Sequence, residues 1–593
     1  MNEKLTAFRR LMKERGVDMY IVPTDDFHLS EYTGDYFKCR AFLTGFRGSA
    51  GTALVTQEEA LLWTDGRYFL AAEEELRGSG FSLMKMGVEG VPTLSEYVKA
   101  HLKEGGVLGY DGRTVSAQAG KQFLQIAEEQ GARIADGWDL VGEIWTDRPP
   151  LSHEAAWILG TEYAGEDSAS KIKRVRDAMK ALGAKAHVLT SLTDISWLLN
   201  LRGGDILYCP VVLSYLILTE SRCVFYVQSE SLSEEIRSYL EQLGVETRPY
   251  EAVYEDVSIL EGPVLLDPSC INARLYTLLS GRTGLVEAKN PTILMKAVKN
   301  EVEAENFRAA HLKDGIVLTK WLYWFKHIVG KEALTELSCA RKLDAMRRAV
   351  DTSKGLSFET IAGYGPNGAI VHYEPTEESD TPVEAKGFLL VDSGGHYLEG
   401  TTDVTRTIAC GPLSEKEKEY FTLVLKGHID LASAKFLEGA RGMNLDYLAR
   451  APFWERGLDY RHGTGHGVGY LLSVHESPNG FRWKVVPERN DSAEFLPGMI
   501  QSDEPGIYLA GEFGVRTESL LLTVEAEKTE FGQFLAFENL TLCPIDLNAV
   551  IPEMLTKEEK AYLNRYHETV YQKLCPFMNE EEAAWLKEAT RAL

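Results

Sequence analysis

The chain has 593 residues, enough for three or four domains at about 150 residues each. Hydrophobic residues make up 44% and charged residues 25%, an ordinary globular composition that can fill large buried cores. A formal charge of −25, from 88 acids against 63 Lys and Arg, disfavours nucleic acid or an anionic membrane surface as a partner.

No apolar stretch approaches the ~18 residues of a membrane span. The opening MNEKLTAFRRLMKERG is amphipathic and charged and has no apolar h-region, so no secretory signal is expected. The eight cysteines (Cys39, Cys209, Cys223, Cys270, Cys339, Cys410, Cys543, Cys575) are scattered and form no CxxC pair. That argues against a disulfide framework and against a thiolate zinc site. A reduced, cytoplasmic protein is expected.

An internal repeat comes first. MKERGVDMYIVPT (12–24) and MKALGAKAHVLTS (179–191) each read as a helix end closed by glycine, Gly16 or Gly183, followed by a strand. ALVTQEEALLW (53–63) and LILTESRCVFY (216–226) then repeat a strand, polar turn and strand in the same order and at similar spacing. Two copies of one α/β domain follow, with the Pro-rich DRPPLS (147–152) as a hinge. Near 290 the pattern changes. Asn300 and Glu303 have the spacing of a helix N-cap with its reciprocal acid, and Phe307, Val317, Trp321 and Leu322 continue at helical spacing. A third domain starts here.

Within it, FLLVDSGGHYLEGTTDVTRT (388–407) reads as a hairpin. A lone turn carboxylate is ordinarily solvated. Here Asp392 directly follows four apolar residues and Asp403 is expected inside a Thr/Val-rich strand. Unpaired carboxylates at half-buried positions are costly, and a metal is the usual compensation.

Four further segments gather polar residues in apolar or Gly-rich settings. GYGPNGAIVHYEP (363–375) carries His372. RHGTGHGVGYLLSVHESP (461–478) carries His462, His466 and His475. GMIQSDEPGIY (498–508) carries Glu504, and FGVRTESLLLTV (513–524) carries Arg516 and Glu518. The interleaved glycines exclude a helical pair for His462 and His466, although an extended segment can turn both to one side. The same alternation puts Arg516 and Glu518 on one strand face. Asp392, Asp403, Glu504 and Glu518 supply −4, which two divalent ions balance, and His466 completes a set of five. Such a donor set favours hard ions such as Mn²⁺ or Mg²⁺, and a close ion pair acts on a carbonyl as a Lewis acid. In the tail, Thr556 and Glu559 form another capping box, and Tyr562, Leu563 and Tyr566 give the helix after it an apolar face, so a packed extension is expected.

VDSGGHYLEGTTDVTRT, HGTGHGVG, SDEPGIY and GVRTESLLL resemble the motifs of the Xaa-Pro aminopeptidases (aminopeptidase P), within the pita-bread metallopeptidase group. PTDDFHLSEY, FRGSAGTALV, WTDGRYF, ISWLLNLRGGD and FENLTLCPIDL are similar to the long, three-domain cytosolic type, so the resemblance spans the whole chain. It implies an α/β (α+β) architecture. Two related creatinase-like domains (1–148 and 149–295) would precede a catalytic pita-bread domain (296–530) and a C-terminal helical extension (531–593). By the same resemblance, Asp392 and Asp403 bind one metal or bridge both, His466 sits on one ion, and Glu504 and Glu518 complete the pair. The ions would be Mn²⁺, with Co²⁺ or Zn²⁺ as alternatives. Glu504 would also receive a proton. His372, His462 and His475 match substrate and proton-handling histidines, and Arg516 an arginine beside the last ligand. His396, in the DSGGHY turn, has no role in that pattern.

The expected activity is release of the residue preceding a second-position proline, by a homodimer acting on peptides. A prolidase-like dipeptidase and a methionine aminopeptidase share the ligand set, but the duplicated N-terminal domains argue against the latter. A non-catalytic binding module of this fold usually lacks the ligands, and here the set is complete.

Overall fold

Helix Glu3–Arg15 stops where its glycine requires it to. Gly16 takes φ +65°, and Val17 N–H donates back to Met12 O at 2.9 Å. The second copy repeats the device, with Gly183 at φ +72° and Ala184 N–H donating to Met179 O at 2.9 Å. This left-handed cap turns each chain into its first strand. The computed structural model describes residues 3–486 and 491–593. It divides into two compact units, Met1–Gly160 with Glu166–Ile293, and Thr161–Gly165 with Leu294–Leu593.

The first unit holds both copies of the repeat. Copy one contributes β1 (Met19–Pro23), β2 (Thr52–Thr56), β3 (Ala60–Thr64), β4 (Ser82–Lys85), β5 (Val107–Tyr110) and β6 (Arg133–Ala135). Copy two contributes β7 (Ala186–Leu189), β8 (Ser214–Thr219), β9 (Cys223–Val227), β10 (Val245–Pro249), β11 (Val264–Leu266) and β12 (Leu285–Glu287). The sheet orders are β4-β3-β2-β1-β5-β6 and β10-β9-β8-β7-β11-β12, the same topology twice. Parallel and antiparallel pairings also match throughout. Every residue of β1, β3, β5, β7 and β9 is buried, which is why these strands read as continuous apolar runs.

The long helix of the second unit, Glu301–Ile328, is capped as its sequence predicts. Glu303 N–H donates to Asn300 Oδ1 and Asn300 N–H to Glu303 Oε2, both at 3.0 Å. Phe307, Val317, Trp321 and Leu322 all lie on its buried face. The predicted hairpin forms, with one difference. Phe388–Ser393 pairs antiparallel with Val404–Ala409, and Ile361–Tyr364 covers its other edge. Asp403 is not inside the second strand; it precedes it, because the tip folds a small ladder of its own from Gly395–Tyr397 and Gly400–Thr401. A six-stranded sheet supplies the other half of the unit. Its order is Lys435–Leu437, Gly532–Asn539, Ser519–Thr529, Ile500–Asp503, Gly465–Gly467, Glu476–Phe481.

The tail is integral to this unit. Helix Lys557–Leu574 carries the Thr556–Glu559 capping box and buries Leu563, Val570 and Leu574 in the same core as Phe388, Val424, Phe453 and Val515. Tyr566 OH accepts from Arg406 Nη2 at 2.8 Å and donates to Thr541 O at 3.0 Å. The tail thus braces the strand that leaves Asp403. No helix among the described residues is long and apolar enough to cross a membrane, and all eight cysteines are free.

Candidate metal centre

Three donors from three distant segments converge. The ligand atoms of Asp403, His466 and Glu518 all lie within 4.8 Å of one another, the one such group among the described residues. His466 Nε2 is 3.5 Å from Asp403 Oδ2 and 3.6 Å from Glu504 Oε1, so Glu504 borders the group. His466 holds its ring by Nδ1 against Gly467 O at 2.9 Å, and its backbone N–H donates to Ser502 Oγ at 3.0 Å. That close approach needs glycine, because a Cβ at Gly465 would lie 1.9 Å from Ser502 O. Glu504 is set by its own N–H, which donates to Thr464 O at 2.8 Å.

Asp392 is the next-to-last residue of the central strand of the hairpin sheet, opposite Thr405. Its Oδ2 accepts from Arg516 Nη2 at 2.6 Å, while its buried Oδ1 has no hydrogen-bond partner among the described residues. Arg516 also donates to Tyr508 OH at 2.8 Å and to Thr405 Oγ1 at 3.1 Å. Arg516 and Glu518 do not share a strand, since Phe513–Arg516 ends before Thr517 and the next strand begins at Ser519. They meet nonetheless at one hydroxyl, as Thr405 Oγ1 donates to Glu518 Oε2 at 2.7 Å.

The charge balance is lopsided. Burial raises the Asp392 carboxyl to about 6, with Arg516 pulling it down and Asp403 and Glu504 pushing it up. Burial also raises Glu504, and raises Glu518 well above the carboxylate range, reinforced at Glu518 by Asp403, Asp392 and Glu504. Burial alone would lower His466, but the hydrogen bond to Asp403 and the charge of Glu504 carry it up to about 9. Crowded carboxylates beside an imidazole, with one carboxylate oxygen orphaned, form a donor set suited to divalent cations.

Asp392, Asp403 and Glu518 are buried, whereas Glu504, His466, His372, His462 and His475 are half-buried. His475 stands edge-on to His466, ring centroids 4.4 Å apart. His372 adjoins Val371, whose carbonyl accepts from Arg516 Nη2 at 3.4 Å. His462 is engaged at both nitrogens, with Nδ1 at 2.7 Å from Gly463 O and Nε2 at 2.9 Å from Tyr508 OH. Burial and the nearby Arg516 push it down to about 3, so it stays neutral. Sequence reasoning overlooked Tyr508, which links His462 to Arg516, and Thr405, which links Arg516 to Glu518. Both lie inside the quoted motifs, and Thr405 pairs directly with Asp392 across the hairpin. It also overlooked Glu476, buried between Lys296 (Nζ–Oε1 2.8 Å) and Lys299.

A duplicated α/β region ahead of a unit whose sheets bring together Asp, His and Glu donors is the build of a metallopeptidase. Residues 4–137 and 147–303 each match the creatinase/prolidase N-terminal domain, 305–525 match metallopeptidase family M24, and 533–593 match the C-terminal region of that peptidase. A probable Xaa-Pro aminopeptidase P of Laccaria bicolor is 38% identical, over 99% of this chain and 92% of its own length. Aminopeptidase P1 of Arabidopsis thaliana is 37% identical, over 100% of this chain and 99% of its own. The crystal structure of X-prolyl aminopeptidase from Caenorhabditis elegans, described as a cytosolic enzyme with a di-nuclear active site, superposes with a TM-score of 0.95. It is 35% identical and covers 100% of this chain and 99% of its own. The chain belongs to the Xaa-Pro aminopeptidase P family. Its fold is two creatinase-type domains, a pita-bread metallopeptidase domain and a C-terminal extension.

Proposed function

We propose that this chain is a metal-dependent aminopeptidase that releases the first residue of peptides with proline in second position. The observation that carries the reading is the convergence of Asp403, His466 and Glu518 in a chain akin over its full length to Xaa-Pro aminopeptidases. Asp392, Asp403, His466, Glu504 and Glu518 would hold two divalent ions, supported by the orphaned Asp392 Oδ1 and the crowded carboxylates. Oxygen-rich donors favour Mn²⁺, with Co²⁺ or Zn²⁺ as alternatives. When bound, the ions supply Lewis acidity toward a peptide carbonyl and make water a stronger acid.

The protein's own groups do the rest. Glu504 is half-buried, with a pKa raised by burial, which suits it to take a proton and return it. His372 and His475, both half-buried, would donate to the oxygen that gains charge at the scissile carbonyl. Arg516 holds Asp392 in place through Oδ2. His462 stays neutral and, with Tyr508, walls the place for the proline ring. An X-Pro nitrogen carries no N–H, so no acceptor is needed there.

The domain division is 1–148, 149–295, 296–530 and 531–593. A cytoplasmic location is supported by the eight free cysteines and by the cytosolic worm relative. A homodimer is supported by an exposed aromatic surface, where Tyr447, Trp454 and Trp483 are 56%, 39% and 48% exposed. The deciding experiment compares Gly-Pro with Gly-Pro-X and Arg-Pro-Pro peptides by mass, with and without added Mn²⁺. The aminopeptidase reading requires release of the first residue alone, faster from the longer peptides, and little cleavage when Ala replaces the second proline. Preference for the bare dipeptide would make the enzyme a prolidase.

A further inference from the structure

The hairpin tip between Asp392 and Asp403 carries a buried histidine that the ligand set does not use. His396 is 2% exposed and Thr401 fully buried, and the two face each other across the tip ladder. His396 Nδ1 lies 2.9 Å from Thr401 Oγ1. The same hydroxyl accepts from Leu471 N–H at 3.1 Å. Leu471 lies on the loop that follows His466, and it adopts φ +48°, a left-handed conformation that a leucine holds only when its surroundings enforce it. The preceding residue makes a second bond to the same tip, from Tyr470 OH to Leu398 O at 3.0 Å.

We propose that His396 and Thr401 are positioning residues. They fasten the loop after His466 to the tip between the two aspartates, and so fix the spacing of the metal donors. The proposal rests on the two-ion reading given above. Glu518 has its own ties to the hairpin, through Thr405 Oγ1 at 2.7 Å and from its N–H to Thr405 O at 3.1 Å. His466 shares neither of these. The Thr401 contact is therefore a separate tie, and its loss should loosen the His466 side of the centre more than the Glu518 side. A hydroxyl offers one hydrogen and two acceptor sites, so Thr401 can serve the imidazole and the Leu471 amide together.

The test uses the full chain, stripped by chelation and titrated with Mn²⁺ by calorimetry, with circular dichroism and melting temperature as controls on the fold. Wild type should bind two ions. In Thr401→Val and His396→Ala the first ion should bind as in wild type and the second about 10- to 100-fold more weakly, the usual effect of removing an outer support of a metal ligand. Thr401→Ser keeps the hydroxyl and His396→Asn keeps a polar atom near Nδ1, so both should recover most of that loss. If Thr401→Val does not fold, Tyr470→Phe, which removes one hydroxyl from the same tie, must weaken the second ion. Wild-type affinities in Thr401→Val or, failing that, in Tyr470→Phe overturn the proposal. So does a Thr401→Ser variant as weak as the valine, which would assign the effect to packing. A wild type that binds fewer than two ions would overturn the two-ion reading itself, a distinct result.

Discussion

Replacing Glu518 by Gln should stabilise the metal-free protein while removing its capacity for two ions. Glu518 is 1% exposed, and its bond from Thr405 Oγ1 at 2.7 Å can be kept by the amide oxygen, so the packing is conserved. Burial, with Asp403, Asp392 and Glu504 alongside, raises the Glu518 carboxyl well above its ordinary range. In the unfolded chain the same group titrates near ~4.3. Folding therefore takes up a proton at pH values between that value and the raised folded one. The stability tied to the carboxyl is complete below about pH 4.3 and is lost as pH rises, at about 1.4 kcal/mol per pH unit, until the folded value is passed. From pH 5 to pH 7 the chelated wild type should lose stability relative to Glu518→Gln, by at most about 3 kcal/mol. The assay is thermal melting of both proteins after exhaustive chelation at pH 5, 6 and 7. The variant should melt higher, and the gap should widen with pH. Added Mn²⁺ should then raise the wild-type melting temperature far more than that of the variant. A gap that stays constant or narrows from pH 5 to 7 would refute the charge-crowding argument, whatever the metal titration gives.

His475→Ala and His372→Ala should keep both ions by elemental analysis and lose about 10²- to 10³-fold in rate, as expected when a positioned donor or proton carrier is removed; metal loss would make them ligands instead. His567 is fully buried, accepts from Ile545 N–H at 3.1 Å and is pushed down to about 3 by burial, so its share of stability is present above pH ~6.5 and lost on acidification toward 3. Wild type should therefore lose about 2 kcal/mol relative to His567→Gln between pH 7 and 5, read from pH-dependent melts, and equal acid sensitivity would contradict this. Trp454→Ala should shift the protein toward monomer in sedimentation velocity; an unchanged dimer would exclude the aromatic surface as the contact.

Local rules carried much of the fold. The caps at Gly16 and Gly183, the boxes at Asn300–Glu303 and Thr556–Glu559, and the duplicated strand pairs depend on contacts between residues close in sequence, where spacing and residue type suffice. The two aspartates were legible as well, because carboxylates against apolar runs are conspicuous. What failed locally was finer. The tip ladder of Gly395–Tyr397 with Gly400–Thr401 displaced Asp403 from its expected strand, and a two-residue break separated Arg516 from Glu518.

Composition, alternation and motif residues by themselves determined a duplicated α/β region and a third unit with an acid-rich centre, and named candidates for its residues. Tertiary structure alone decided who meets whom. Thr405 joins Arg516 to Glu518, Tyr508 joins His462 to Arg516, and Thr401 ties His396 to Leu471, each across long separations in the chain. No periodicity encodes such pairs, because they arise only when separate sheets pack and buried polar atoms must find partners. Among the described residues, the same packing left Asp392 Oδ1 without a hydrogen bond and crowded Glu518 with like charge. These properties exist only once water has been excluded from the assembled centre, since a carboxylate in the unfolded chain remains solvated and feels neither effect.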